Sequence, residues 1–381
     1  MRAVLTRRRL LLPLLGGLLL SGPGVSSGAA QEAPEPGSEL TVFLVTMGQG
    51  NLVWEKFGHN GIWIHDALLG TDRVYNYGLF DFQSPGYWSR FLQGRWIYEV
   101  GVSSIDETIA QYRYFNRSVR VQELNLTAPQ KQELQDFLEW NARPENREYR
   151  YDYYRDNCST RIRDVLNRAL GGRLREATER VPTATTYRWH SERLIADDKL
   201  SYTGLLAGLG PAADRPISAW EEMFLPFKLE EQLRTIRVPD GAGGEAPLVI
   251  AEHTFYEAEG RTPPRSEPPF WLPWYLSVGA LLGGTLAALA AAAVRSRLAG
   301  GVFVFAGMGW SLLTGIAGLL LVALWTLTDH QIAYRNENLL QFNPLSLGLV
   351  VLIPALFARA GWASRAARLL AWGVAGISVV G

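Results

Sequence analysis

The sequence predicts an exported α+β domain followed by a C-terminal bundle of transmembrane helices. Three features predict it: a leader-like N-terminus, strand and helix patterns interspersed without regular βαβ alternation, and long uncharged apolar stretches beyond residue 267. The 381 residues leave room for two or three units at about 150 residues each. Hydrophobic residues make up 48% and charged residues 19%, below the roughly 25% charged of soluble domains. That balance leans toward a membrane protein and excludes disorder, collagen and a coiled coil. Thirty-seven basic residues cancel 37 acidic ones, so no global charge draws the chain to nucleic acid. One cysteine, Cys158, cannot form an internal disulfide or build a thiolate metal cage, which removes zinc-finger readings.

The N-terminus runs Arg2, then Arg7 to Arg9, an apolar stretch from Leu10 to Leu20, and small residues ending Gly28-Ala29-Ala30. This is the order of a secretory leader, with cleavage expected after Ala30; the arginine run also permits a twin-arginine signal. No cysteine lies near that point, so the chain is not expected to be a lipoprotein itself. Residues 268–294, 298–328 and 338–358 carry no charge, and each exceeds the roughly 20 residues that a spanning helix needs. Residues 369–381 form a fourth, shorter run that spans only if Arg365 and Arg368 snorkel or the chain continues. Arg295, Arg297, Arg359, Arg365 and Arg368 mark cytoplasmic loops, whereas residues 328–342 hold only Arg335 and are expected outside. The expected organisation is a leader over 1–30, a periplasmic domain over 31–261, a stiff proline-rich tether over 262–270 and a multi-pass membrane domain over 271–381, placed in a bacterial inner membrane.

Within the exported part, Leu40 to Val45 reads as a strand, and Gly61 to His65 with Val74 to Gly78 reads as two strands joined by a turn. Thr127-Ala128-Pro129-Gln130 is a capping-box start for a helix carrying Leu134, Phe137, Leu138 and Asn141. After Asp156-Asn157-Cys158, the residues Ile162, Val165, Leu166, Ala169 and Leu170 keep helical spacing until Gly171-Gly172.

Asp156 or Asn157 caps that helix, placing Cys158 in a first turn where free N–H groups and the helix dipole favour a thiolate, with Arg155 and Arg161 adding positive charge. A lone cysteine is otherwise a small buried hydrophobe. A nucleophilic thiol wants an imidazole, and of the five histidines His59, between Gly58 and Gly61 at a strand entrance, is the best placed. His65 reads as a solvated turn residue, and His190 and His253 lack a comparable setting. Asn76 on the neighbouring strand is the candidate third member, or else a structural turn asparagine. Tyr149, Tyr151, Tyr153 and Tyr154 line a lipid or peptide groove, supply an oxyanion donor, or form an ordinary half-buried strand.

Phe57-Gly58-His59, Val74 to Gly78 and Tyr151 to Arg161, with Gly208-Leu209-Gly210 through Asp214 and Phe224-Leu225-Pro226, resemble the Lnb-type periplasmic domain family of bacterial lipoprotein N-acyltransferases. The resemblance covers most of residues 40–235, and Asp156 to Thr160 is its most specific part. The His-before-Cys order is also similar to permuted NlpC-type papain-like hydrolases and the lecithin:retinol acyltransferase group. In the membrane part, Asp329-His330, Asn336 to Leu340 and Asn343-Pro344-Leu345 look similar to a motif of the same family, or are plain hydrophilic turns.

The resemblance implies a permuted papain-like domain with catalytic Cys158, His59 and Asn76. It also implies substrate contacts at Tyr154, His330, Asn336 and Asn338, and no metal or other cofactor. The implied reaction moves an acyl chain from a membrane phospholipid, through a Cys158 thioester, to the N-terminal amine of a diacylglyceryl-cysteine lipoprotein. A papain-like thiol hydrolase acting on peptidoglycan peptides or lipid esters, and a non-catalytic membrane-tethered binding domain, are the competing readings.

Overall fold

The computed structural model describes residues 35–380, so the expected leader lies outside the described residues. Along the chain run β1 (Leu40–Met47), β2 (His59–Asp66), β3 (Thr71–Leu79), α1 (Tyr87–Gln93), β4 (Ile97–Ser103), α2 (Ile105–Tyr114), β5 (Val119–Leu124), α3 (Ala128–Asn141), β6 (Glu148–Arg150) and α4 (Cys158–Ala169). Short helices follow: α5 (Arg173–Thr178), α6 (Tyr187–Leu194), α7 (Lys199–Gly208), α8 (Ala219–Glu222) and α9 (Pro226–Leu233). Two small ribbons lie among them, β7 (Pro182–Thr186) with β8 (Pro216–Ser218) and β9 (Arg237–Pro239) with β10 (Glu245–Pro247), before β11 (Val249–Tyr256).

Seven strands form one sheet in the order β11-β5-β1-β2-β3-β4-β6. Every neighbouring pair is antiparallel. The domain is therefore α+β, as the lack of βαβ alternation predicts. Side-chain alternation gives the sheet two buried faces. Val42, Leu44, Ile62, Ile64, Tyr75 and Tyr77 point to one, which α3, α4 and α9 cover. Val45, Met47 and Val74 point to the other, where α2 brings Ile105, Ile109 and Tyr112.

The sequence signals for α3 and α4 hold. Thr127 and Gln130 form the reciprocal capping box of α3. The face of α4 that buries Ile162, Val165, Leu166 and Ala169 ends where Gly171 and Gly172 adopt positive φ. Each such aliphatic side chain removed from water contributes about 1.5–3 kcal/mol, and that burial is what fixes α4 on the sheet.

The membrane part is built from α10 (Leu272–Ala293), α11 (Arg297–Leu327), α12 (Leu347–Phe357) and α13 (Ala363–Val380). Among the described residues three segments, Leu272–Ala293, Arg297–Leu327 and Glu337–Phe357, are long and apolar enough to cross a membrane. The last is α-helical only from Leu347, because single 3-10 turns occupy Glu337–Leu340 and Pro344–Ser346. The stretch from Pro344 to Leu347 packs tightly on α11: a Cβ on Gly318 would lie 2.8 Å from Pro344 N, and one on Gly315 would lie 2.6 Å from Leu347 Cγ. Small residues on one helix thus allow close backbone approach, as is common between membrane helices. Helix α13 runs back beside α12, where Ser378 Oγ donates to Leu340 O (3.1 Å) and Gln341 Nε2 donates to Ser378 O (2.8 Å).

The 328–346 segment is clasped to the exported domain. Asp329 accepts from Arg95 Nε and Arg150 Nη2, both at 2.7 Å, and its own N–H donates to Gln93 O at 2.8 Å. Asn336 Nδ2 donates to Ala207 O (2.8 Å), and Asn338 Nδ2 donates to Leu206 O (3.1 Å) and Ala207 O (3.2 Å). The last carbonyls of a helix have no partner within it, so these two asparagines supply donors that α7 lacks. Gly210 N–H donates to Ile332 O (2.9 Å), and a Cβ there would lie 2.4 Å from Tyr334 O, which accounts for the glycine in Gly208-Leu209-Gly210. Ile332 completes an apolar cluster with Tyr154, Tyr187 and Phe224. In the proline-rich segment, expected as a tether, Arg265 O accepts from Arg193 Nη1 (3.0 Å), and just before it Arg261 Nη2 donates to Phe115 O (3.0 Å).

Replacing Asn336 and Asn338 by alanine leaves the Ala207 carbonyl without its asparagine donors, while Leu206 O keeps Arg188 Nη1 (3.2 Å), at a cost of about 1–3 kcal/mol. Amide hydrogen exchange in the full chain should quicken across residues 331–340 and at the end of α7 while α4 stays protected. Unchanged exchange would show that the clasp lies elsewhere.

Candidate active site

The start of α4 is held rigidly by the residues around the cysteine. Asn157, rather than Asp156, is the cap: its Oδ1 accepts from Thr160 N–H at 2.9 Å, and its own N–H donates to Thr160 Oγ1 at 2.7 Å. Asn157 Nδ2 donates to Tyr153 O (3.0 Å) and Phe224 O (2.9 Å), and Ser159 Oγ donates to Met223 O (2.7 Å). The Asp-Asn-Cys-Ser-Thr block and the Phe224-Leu225-Pro226 turn are therefore two halves of one clamp, each buried polar group finding a partner. Asp156 is spent on Arg161. Cys158 emerges from this clamp partly buried, with the backbone N–H groups of Asn60, Ser159 and Cys158 itself directed at its sulfur.

His59 opens β2 opposite Met47, on the sheet face that α2 covers. It meets Cys158 at Gly78, the last glycine of the β3 motif. Gly78 has φ +96°, and a Cβ placed on it would lie 3.5 Å from Cys158 Cβ, 3.9 Å from His59 Cε1 and 3.9 Å from Tyr149 Oη. Three side chains thus converge on the space that glycine leaves empty, in a backbone region that other residues avoid.

Asn76 lies beside the His59 ring, where its amide favours the protonated form. Gly61 makes this approach possible, because a Cβ there would lie 3.1 Å from Asn76 Oδ1. The amide is fixed from behind, since Asn76 Nδ2 donates to Ser103 Oγ (3.1 Å), and Ser103 Oγ shares a hydrogen bond with Thr108 Oγ1 (2.9 Å). Thr108 Oγ1 in turn donates to Ser104 O (2.9 Å). The donor groups are all used, so the carbonyl oxygen is the part of Asn76 left for the imidazole.

The charge state differs from the sequence expectation of a stabilised thiolate. Burial pushes the Cys158 thiol up to about 11, outweighing the N–H groups and Arg117, which act in the opposite direction. Burial, and then the Arg117 cation, bring His59 down to about 4. Desolvation disfavours whichever form is charged, so the resting pair is a neutral thiol and a neutral imidazole. The cation that reaches the pair is Arg117, not Arg155 or Arg161. Arg155 binds Gln331 Oε1 at 3.0 Å, and Arg161 binds Asp156 while lying 4.3 Å from the Tyr149 ring centroid.

Arg117 went unmarked in the sequence. It is buried at 7% exposure, donates to Gly48 O (2.9 Å) and Glu55 Oε1 (3.4 Å), and stacks over Tyr112 at 4.7 Å. Tyr112 in turn lies parallel to the His59 ring, with centroids 6.4 Å apart. No spacing or motif connects Arg117 to His59; only the packing of α2 across the sheet does.

Tyr149 is buried, and its hydroxyl has no hydrogen-bond partner among the described residues. Tyr151 and Tyr98 stack at 4.0 Å, and both have ionisation opposed by burial and, less strongly, by a Cys158 thiolate. Tyr154 is not in this group: its Oη bonds Ser191 Oγ at 2.7 Å inside the Tyr187–Phe224 cluster. Asn336 and Asn338 cap α7, as described above. His330 bonds Tyr153 Oη (3.3 Å) and Phe91 O (3.2 Å) and lies in an edge-to-face arrangement with Trp96. His65 pairs with Asp72 at the far end of β2. His190 is buried against Glu222 at 2.8 Å.

Between about pH 4 and 11 the neutral pair persists, so alkylation of Cys158 by iodoacetamide should still be climbing with pH where an ordinary thiol of pKa ~8.5 has levelled off. Arg117→Met removes a cation that lowers both groups. Alkylation should then slow at fixed pH and His59 should protonate at a higher pH by NMR titration, with Arg117→Lys restoring both. A plateau near the ordinary thiol value, or faster alkylation in Arg117→Met, would contradict this electrostatic account.

Comparison with known proteins agrees with the architecture. Residues 34–193 match the Lnb N-terminal periplasmic domain, and residues 268–370 match the Lnb transmembrane domain. None of the curated proteins matches the chain, and neither does any solved structure. The matched regions hold the converging Cys158, His59 and Asn76 in one part and the apolar helices in the other, in the order that the resemblance of the motifs implies, and the chain accordingly belongs to the Lnb family as a membrane protein with a periplasmic domain.

Proposed function

We propose that this protein is a lipoprotein N-acyltransferase that carries its acyl chain on Cys158. The observation behind this is the convergence of Cys158, His59 and Tyr149 on Gly78, in a domain clasped to its own membrane helices. A thiol and imidazole so placed suit acyl transfer, and the attachment to the bilayer suits a lipid donor and a lipid-anchored acceptor.

In the first half-reaction the neutral His59 imidazole takes the Cys158 proton as the sulfur attacks a phospholipid ester carbonyl. The carbon–sulfur bond forms and the carbonyl oxygen becomes an oxyanion. The N–H groups of Asn60 and Ser159, already directed at the sulfur, and the unpartnered Tyr149 hydroxyl are the donors available to it. Collapse breaks the ester carbon–oxygen bond, and the imidazolium returns its proton to the departing lysophospholipid. The neutral α-amine of the lipoprotein's N-terminal cysteine then attacks the thioester. His59 accepts the amine proton and passes it to the leaving Cys158 sulfur, and an amide remains. Asn76 keeps the ring oriented throughout. The low proton affinity of His59 suits this: a neutral base is present at working pH, and the imidazolium that forms is a ready acid.

Cys158→Ala, expressed in a bacterial host lacking its own N-acyltransferase, should leave lipoproteins diacylated, whereas the wild-type chain adds one amide-linked chain detectable by mass spectrometry. Triacylated lipoproteins in the variant would refute the assignment. A wild-type chain that releases free fatty acid without N-acylation would identify water as the acceptor and the enzyme as a hydrolase.

Tyr149→Phe keeps the ring under Arg161 but removes the hydroxyl. Loss of one oxyanion donor lowers turnover by roughly 10²- to 10³-fold, read here as acyl transfer with the alkylation rate of Cys158 unchanged. Full turnover in the variant would assign the oxyanion to backbone donors alone.

A further inference from the structure

Helix α1 is apolar on the outside. Trp88, Phe91 and Leu92 fall at i, i+3 and i+4, one face of a helix, and are 60%, 36% and 66% exposed, whereas Tyr87 faces the domain and is buried. Phe82, 44% exposed, stacks on Trp88 with centroids 6.0 Å apart and extends the patch. A soluble surface does not ordinarily gather large apolar groups in this way.

The position of α1 identifies what covers it. Helix α11 ends at Leu327, and two residues later Asp329 N–H donates to the carbonyl of Gln93, the last residue of α1, at 2.8 Å. His330 Nε2 bonds Phe91 O, and Arg95 just beyond α1 holds Asp329. The end of α1 is thus pinned to the point where a spanning helix leaves the bilayer on the periplasmic side. Seven residues of helix extend only about 10 Å, comparable to the 5–10 Å that an interfacial helix sinks into the headgroup and acyl boundary.

We infer that α1, through Trp88, Phe91 and Leu92, inserts into the periplasmic leaflet of the membrane as a second, monotopic anchor beside the spanning bundle. From the inserted patch, aromatic rings continue inward: Phe82 to Phe80 (4.8 Å), Phe80 to Tyr98 (4.9 Å) and Tyr98 to Tyr151 (4.0 Å), close to Cys158. If the acyl-transfer reading holds, this wall leads an acyl chain from the leaflet to the thiol. The insertion itself rests only on the membrane placement.

The test uses the full chain in phospholipid bilayers with Cys158→Ala as background, so that one introduced cysteine carries a nitroxide label and catalysis plays no part. Leu92→Cys places the label on the patch. Leu68→Cys, 76% exposed in the β2–β3 turn at the opposite end of β2 from His59, is the control. In electron paramagnetic resonance, the Leu92→Cys label should collide several-fold more with oxygen than with a water-soluble nickel chelate, as in hydrocarbon, and the Leu68→Cys label should show the reverse. Equal nickel accessibility at both sites would overturn the inference, and so would a Leu92→Cys label shielded from both reagents, which would mean that protein covers the patch.

Discussion

Cys158 begins a helix packed on one face of the sheet, whereas His59 opens a strand with its ring toward the other face, against α2. They can meet only at the sheet end, and Gly78 is the residue whose missing side chain allows it. Much of the surrounding architecture serves this meeting. Asn157 and Ser159 tie the helix start to the 223–224 backbone, and Gly61 lets Asn76 reach the imidazole. Buried polar groups of this kind are fully partnered or costly, so the clamp both stabilises the fold and limits where the thiol can point.

The electrostatic consequence is a site that rests uncharged. The dipole and N–H groups of a helix start favour a thiolate, but burial wins, and Arg117 acts on both members of the pair from behind Tyr112. A neutral thiol and a neutral base avoid burying an ion pair, whose desolvation penalty can exceed its mutual attraction. Proton transfer then belongs to the attack step rather than to the resting enzyme.

The polar segment after α11 joins the two halves of the molecule. Its asparagines complete α7, Ile332 enters an apolar cluster of the exported domain, and Asp329 bridges two arginines beside α1. Exposed ion pairs contribute little individually, so the capped carbonyls and the buried isoleucine carry more of the attachment.

Helix α4 was legible because amphipathic spacing, an asparagine cap and a glycine stop all act within a few residues, and α3 because of its capping box. The spans were legible because hydrocarbon tolerates few charges over their length, although the third begins in 3-10 turns that composition does not reveal. A motif gives the type and position of Tyr154, Asn336 and Asn338, but side-chain direction depends on packing from distant segments, and these three turn toward Ser191 and α7. By itself the sequence showed β1 to β3, α3, α4 and the apolar spans in their order, and singled out one thiol and one imidazole as candidates, since propensity, capping and hydropathy are local properties. Tertiary structure alone decided that those two groups converge at Gly78, that Arg117 is the cation acting on both, and that burial keeps the thiol protonated, because each depends on neighbours brought together by folding across tens of residues.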